Sequence, residues 1–310
     1  MKKGLSANTL RLMIPVVSLA VLLMAVFWLQ PRAMSYMGMN LLFNLAVPIA
    51  LATIAQMLII AVNDLDLSIG TFVSFAACVT AVYLPTAPVT GIAILAAAIA
   101  AYAVIGIVIH LRDLPSIVVT LGMSFVWGGL AVLILPAPGG TAPVWLRSLM
   151  TAAIPVVPLA IVASIVIAIV AHLVVMRSTL GVAIRGVGGN SRSVARAGWS
   201  VLRIKAAAYA LSGLFSVLAG MALVGLTTSA DANIALRYTL LSIAGVILGG
   251  GEFVGGRVSP LGAVVGALTL TLAGSFLSFL RISPDWQIGA QGAVLIIVLG
   301  LRLLLSRREA

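Results

Sequence analysis

Two polar clusters interrupt an otherwise apolar chain of 310 residues. The first reads Asn63-Asp64-Leu65-Asp66-Leu67-Ser68-Ile69-Gly70. Asp66 or Ser68 can cap the free amides of a helix that starts here, and a carboxylate suits the positive end of that helix. The second cluster is a basic loop over about 177–205. It holds Arg177, Arg185, Arg192, Arg196, Arg203 and Lys205, six of the 18 basic residues, and no acid. Within it, Asn190 or Ser191 suits an N-cap and Gly198 a C-terminal stop. The short helix between them carries Arg192 and Arg196 four residues apart, on one face. Such a helix can lie on anionic lipid headgroups or serve as the docking point of a cytoplasmic subunit.

Uncharged polar residues also line up. Thr120, Ser124 and Trp127 share a helix face by their spacing. Asn40 and Asn44 share another, with Gln56 deeper on it. Hydroxyls, amides and an aromatic ring suit transient contact with a neutral polar solute. They equally suit hydrogen bonding between helices, worth about 1 kcal/mol each or less in a membrane.

Other chemistries find little support. Asp64, Asp66, Asp113, Asp231, Glu252, Asp285 and Glu309 fall in loops or at span ends, as do His110 and His172. The ion relay of a coupled transporter needs ionisable groups in mid-membrane. No HExxH, no GxSxG and no GxxxxGK[ST] phosphate loop occurs, so neither metalloenzyme, hydrolase nor ATPase chemistry is expected of this chain. No metal or cofactor is expected. The single cysteine, Cys78, lies in an apolar run and reads as a small core hydrophobe.

The elements that must position these residues are membrane helices. Hydrophobic residues make up 62% of the chain and charged residues 8%, against about 25% charged in a soluble domain. The apolar runs approach 20 residues and are continuous, unlike the alternating segments of a β-barrel. The expected fold is an all-α polytopic bundle of about ten transmembrane helices forming one domain over 1–310. The spans fall near 12–29, 39–61, 67–84, 89–110, 117–135, 152–176, 204–227, 239–251, 258–280 and 286–305. Lys2, Lys3 and Arg11 before the first run mimic a signal peptide, but its core is longer than the usual 7–15 residues, so it reads as an uncleaved span.

This layout puts Lys2, Lys3, Arg11, Arg112, the six residues of the basic loop, Arg257, Arg302, Arg307 and Arg308 on one side. Only Arg32, Arg147, Arg237 and Arg281 fall on the other. Positive residues stay inside, so both termini and the basic loop are expected in the cytoplasm. The net charge of +11 then reflects anchoring at the membrane surface and not nucleic-acid binding. Segment 239–251 is short for a span and is expected as a distorted crossing. Small residues recur at four-residue spacing (Gly245 and Gly249, Gly251 and Gly255, Gly262 and Gly266, Ser212, Ser216 and Gly220), which suits close helix packing or a subunit interface.

Together these stretches resemble the permease subunits of bacterial ABC importers of the ribose-type sugar uptake family. The resemblance rests on Asn40 to Gly70, with Ala55-Gln56-Met57 and Asp66-Leu67-Ser68-Ile69-Gly70. It continues through Leu114-Pro115-Ser116 to Met123, Gly188-Gly189-Asn190 to Gly198, Tyr209 to Gly220, and Val246 to Gly250 with Gly255-Gly256-Arg257. Two departures stand out: Asn63-Asp64-Leu65 replaces a frequent Gly-Gly-Ile, and Ser191-Arg192-Ser193 lacks an early acid.

The resemblance implies cytoplasmic ATP-hydrolysing subunits docked at Asn190, Arg192, Arg196 and Gly198. It also implies a second permease copy or paralogue and an external, periplasmic solute-binding protein. Asp64, Asp66, Ser68 and Gly70 become a hinge or gate, and Asn44, Gln56, Thr120, Ser124 and Trp127 a solute path. The implied place is the bacterial inner membrane and the implied solute a neutral monosaccharide. A branched-chain amino acid or nucleoside permease, or an ion-coupled transporter working alone, stands as the alternative.

Overall fold

The computed structural model describes residues 7–280 together with Trp286, Gly289, Gly292 and Ala293. The described chain forms helices α1 (Ala7–Leu29), α2 (Tyr36–Phe43), α3 (Ala46–Ile60), α4 (Ile69–Tyr83), α5 (Pro88–Arg112) and α6 (Ser116–Ile134). These are followed by α7 (Val144–Met150), α8 (Leu159–His172), α9 (Thr179–Arg196), α10 (Val201–Thr227), α11 (Tyr238–Leu248) and α12 (Pro260–Phe279). No strand occurs among the described residues; Gly139 and Ala230 form an isolated bridge.

Six described segments are long and apolar enough to cross a membrane: Tyr36–Ile60, Pro88–Arg112, Ser116–Ile134, Leu159–Arg177, Val201–Thr227 and Pro260–Phe279. Pro15–Leu29, Ile69–Tyr83 and Tyr238–Leu248 are shorter apolar helices. The span expected over 286–305 lies outside the described residues. The one expected over 152–176 begins as a helix only at Leu159. Pro155 and Pro158 explain the delay, because proline holds the residue before it in extended backbone. The expected basic loop 177–205 is largely helical: α9 fills most of it and α10 begins inside it, at Val201.

Helix α3 is the centre of the bundle, with every residue from Ala46 to Ile60 buried. It packs against α8, α10, α11 and α12. Its many alanines permit that, since small side chains let backbones approach closely. Outer helices behave differently: α6 turns Phe125 and Leu133 outward, largely exposed on the surface of the bundle. The small residues of α11 and α12 serve packing within the chain. Gly245 lies against Thr53 and Gly266, and Gly249 against Gly262. Gly251 and Gly255 lie beyond the end of α11 and share no helix face.

Both α4, with 15 residues, and α11, with 11, are short. At 1.5 Å per residue they span about 22 and 16 Å, below the roughly 30 Å of a bilayer core. Non-helical chain supplies the rest. From Ala230, bonded to Gly139, the backbone descends beside α4 as far as Thr239 and Gly70. It then continues through α11 to Gly255, which bonds to Asn63 in the loop that precedes α4. The starts of the two short helices are stitched crosswise. The Gly70 N–H donates to Thr239 Oγ1 at 2.9 Å, and the Ala235 N–H donates to Ser74 Oγ at 3.0 Å.

Candidate functional site

The loop between α3 and α4 dives into the bundle, and its polar groups find partners on most of the surrounding helices. Buried backbone groups require such partners. The N–H groups of Val62 and Asp64 return to Ile59 O, and that of Asn63 to Ile60 O. The Leu65 N–H donates to Ser116 Oγ at 3.1 Å, and the Leu67 N–H to Thr120 Oγ1 at 3.1 Å. Thr120 also reaches the Leu65 carbonyl at 3.2 Å. Two hydroxyls one turn apart on α6 therefore hold the loop backbone.

Its side chains reach further. Asn63 adopts a left-handed conformation, φ 62°, which asparagine tolerates better than most residues. Its Nδ2 donates to the Gly188 carbonyl of α9 at 2.7 Å, and its Oδ1 accepts the Gly255 N–H at 3.1 Å. Asp64 pairs with Lys205 of α10 at 2.9 Å and accepts from Tyr209 Oη at 3.2 Å. Asp66 is fully buried. It accepts the Ser68 N–H and the Ser68 hydroxyl, both at 2.7 Å, and the Tyr102 hydroxyl of α5 at 2.8 Å. Burial pushes the Asp66 carboxyl above its ordinary range, and the bonds from Ser68 and Tyr102 oppose that rise.

Of the two capping candidates, Asp66 takes the Ser68 amide while the Ser68 hydroxyl makes no capping bond. The free amide of Gly70 is capped from outside the helix, by Thr239. Gly70 has to be glycine-sized: a Cβ there would lie 2.6 Å from Thr239 Oγ1 and 2.7 Å from the Ala235 and Leu236 carbonyls.

The structure separates the five expected path residues. Asn44 is exposed at the break between α2 and α3. It lines a small cleft with Asn40, Met150, Leu159 and Leu226. Gln56 is buried in α3, and neither amide atom has a partner among the described residues. Thr120 is committed to the loop backbone. Ser124, half-buried, bonds back to Leu121 O of its own helix at 2.6 Å. Trp127 sits in an aromatic cluster, its ring 4.7 Å from Phe72 and 5.2 Å from Phe75.

In the basic segment, Asn190 is extended (φ −161°, ψ 97°) and breaks α9. Its Oδ1 accepts the Ser193 N–H at 3.0 Å, capping the last turns. Gly198, at φ 85°, ends them. The Gly198 N–H returns to Ala195 O and the Trp199 N–H to Val194 O, a Schellman closure. Arg192 and Arg196 are exposed between cap and stop. Just upstream, Gly188 packs so tightly on the α3–α4 loop that a Cβ would strike the Ala61 carbonyl and Gly256 Cα.

Sequence reasoning passes over Asn63, Tyr102, Lys205, Tyr209 and Thr239 as site residues. One signal was present: a tyrosine in the middle of an apolar helix needs a partner for its hydroxyl, and Tyr102 and Tyr209 both find one on this loop. Among the described residues no group of histidine, cysteine or acidic side chains could hold a metal.

Comparison with known proteins gives the loop its setting. Residues 38–299 match the family described as "Branched-chain amino acid transport system / permease component". The chain is 27% identical to the probable ABC transporter permease protein y4mJ of Sinorhizobium fredii, over 94% of this chain and 90% of that one. It is 29% identical to the galactofuranose transporter permease protein YtfT of Escherichia coli, over 83% and 77%. Against the ribose import permease protein RbsC of Escherichia coli the identity is 27%, over 91% and 90%. No solved structure matches. With six segments long and apolar enough to cross a membrane and a match over most of its length, the chain is a multi-pass membrane protein and belongs to this family of transport-system permease components.

Proposed function

We propose that this chain is the membrane permease of an ABC importer for a neutral monosaccharide, worked by ATP hydrolysis on a separate cytoplasmic subunit. The observation that carries the reading is the exposed, Asn190-capped end of α9, which presents Arg192 and Arg196 while Gly188 of the same helix packs on the partly buried α3–α4 loop. A subunit that moves that end of α9 gains leverage on the interior. The names of the relatives, which transport ribose and galactofuranose, support a sugar as the solute.

In this reading the protein lies in the bacterial inner membrane with about ten spans and both termini in the cytoplasm. It works beside a second permease copy or paralogue and receives its solute from a periplasmic binding protein. Nucleotide-driven closure of the ATPase subunits displaces the 190–198 turns, and the bundle switches between outward and inward access. The path runs past Gln56 and Asn44, a reading supported by the partnerless buried amide of the first and the small cleft at the second. Thr120 and Ser116 position the gate, and Trp127 gives it an aromatic wall.

The test is the double substitution Arg192→Glu with Arg196→Glu, studied in the complex purified with its ATPase. Loss of ATPase co-purification and of uptake, with membrane insertion intact, is expected. Unchanged transport would remove the docking role.

A further inference from the structure

We propose that Asn63 and Asp64 are the positioning residues that transmit displacement of α9 to the loop between α3 and α4; this rests on the importer reading above. Three observations carry it. Asn63 uses both ends of its amide, donating to Gly188 on α9 and accepting from Gly255 after α11. One side chain thus bridges the helix that bears Arg192 and Arg196 and the segment after α11, from the loop between α3 and α4. Its neighbour Asp64 closes a second link, with Lys205 at 2.9 Å and Tyr209 at 3.2 Å, one turn apart near the start of α10. Helix α10 begins five residues after α9 ends.

The basic segment is therefore pinned to the same loop on both sides of its exposed turns, at Gly188 before them and at Lys205 after them. Rigid contact completes the device, since Gly188 lies directly on the Ala61 carbonyl and Gly256. Two residues after Asp64 the chain reaches Asp66, whose carboxyl group holds Tyr102 and the start of α4. A push on residues 190–198 can thus reach the helix start at Gly70 through a continuous set of contacts.

The pair Asp64–Lys205 is only slightly exposed, with 9% and 16% of the side chains accessible. A partly desolvated ion pair holds its geometry better than a surface pair does. It is also directional: two oxygens of one carboxylate face one ammonium, at 2.9 and 3.2 Å. That arrangement suits a strut, and it allows a charge exchange to restore the contact.

The experiment uses the complete transporter in proteoliposomes, with its ATPase and binding protein, and reads solute uptake per ATP hydrolysed. Asp64→Asn, Lys205→Met and Asn63→Ala are expected to lower that ratio roughly tenfold, with ATPase co-purification retained. Asp64→Glu, and the exchanged pair Asp64→Lys with Lys205→Asp, are expected to recover most of it. A wild-type ratio in the three weakening variants, or an exchanged pair that folds yet remains uncoupled, would overturn the proposal.

Hydrogen exchange on the wild-type complex decides the matter even if substitutions impair folding. Nucleotide binding should change amide protection over residues 61–68 together with 190–198. Change at 190–198 alone would overturn the strut. A wild-type complex that takes up solute without hydrolysing ATP would instead overturn the importer reading itself.

Discussion

Tyr102 and Tyr209 are seated reciprocally. A Cβ at Gly213 of α10 would lie 3.0 Å from the Tyr102 side chain, and one at Gly106 of α5 would lie 2.7 Å from the Tyr209 ring. Each ring thus fills the space its partner helix leaves open. Each hydroxyl then reaches one aspartate of the same loop: Tyr102 donates to Asp66 and Tyr209 to Asp64. Two apolar helices thereby deliver two donors to one short non-helical segment, with large aromatic contact and little loss of packing.

Thr120 should matter more to stability than Ser124, although both share a face of α6. Thr120→Val removes the acceptor of the part-buried Leu67 amide, which costs about 1–3 kcal/mol. Ser124→Ala removes a bond within its own helix and should change stability by about 0.5 kcal/mol or less. Thermal unfolding of the two purified variants in detergent checks the difference.

Gly70→Ala is expected to destabilise by about 1–3 kcal/mol through overpacking against the chain around Thr239. Gly122→Ala on α6, where a Cβ meets nothing within 4 Å, should instead stabilise by about 0.5–1 kcal/mol. The sign of the shift in unfolding midpoint separates the two.

Gln56→Leu should raise stability and lower transport. Its buried amide has no partner among the described residues, so an apolar side chain of similar size removes an unmet polar group worth roughly 1–3 kcal/mol. An increase in unfolding midpoint with reduced uptake is the expected pair of results. Unchanged uptake would take Gln56 out of the path.

Asp66 predicts a pH dependence of defined sign. Burial raises its folded-state pKa above 3.8, so the native protein holds this proton more tightly than the unfolded chain does. Stability from this group is fully present below 3.8 and is lost as pH rises through the folded pKa. Subtracting the melting profile of Asp66→Asn from that of the wild type across this window should leave a falling slope; a rising difference would contradict the burial argument.

The parts legible in the sequence are those set by neighbours along the chain. The cap at Asn190 and the stop at Gly198 follow from local backbone chemistry, and both occur where the residue types place them. The capping role of Asp66 is legible for the same reason. Thr120 was not, because its partners Leu65 and Leu67 lie over fifty positions away and helix periodicity gives a face without saying what that face meets. Asn63 and Lys205 were visible only as members of the two polar clusters, without their partners, and Thr239 was passed over, on the same ground. The late start of α8 was within reach, since Pro155 and Pro158 interrupt an apolar run that hydropathy alone treats as continuous. The polarity of 177–205 likewise concealed the part of α9 before Asn190, because polar residues on an exposed helix and in a loop look alike in composition.

Solute accumulation in liposomes, with and without the ATPase subunits and nucleotide, tests most directly whether this polypeptide moves solute only when driven from the cytoplasmic face. Uptake is predicted to require the permease, the ATPase, ATP and the external binding protein together, and to vanish with Arg192→Glu and Arg196→Glu. Robust accumulation by the purified chain alone, in liposomes lacking nucleotide, would contradict it.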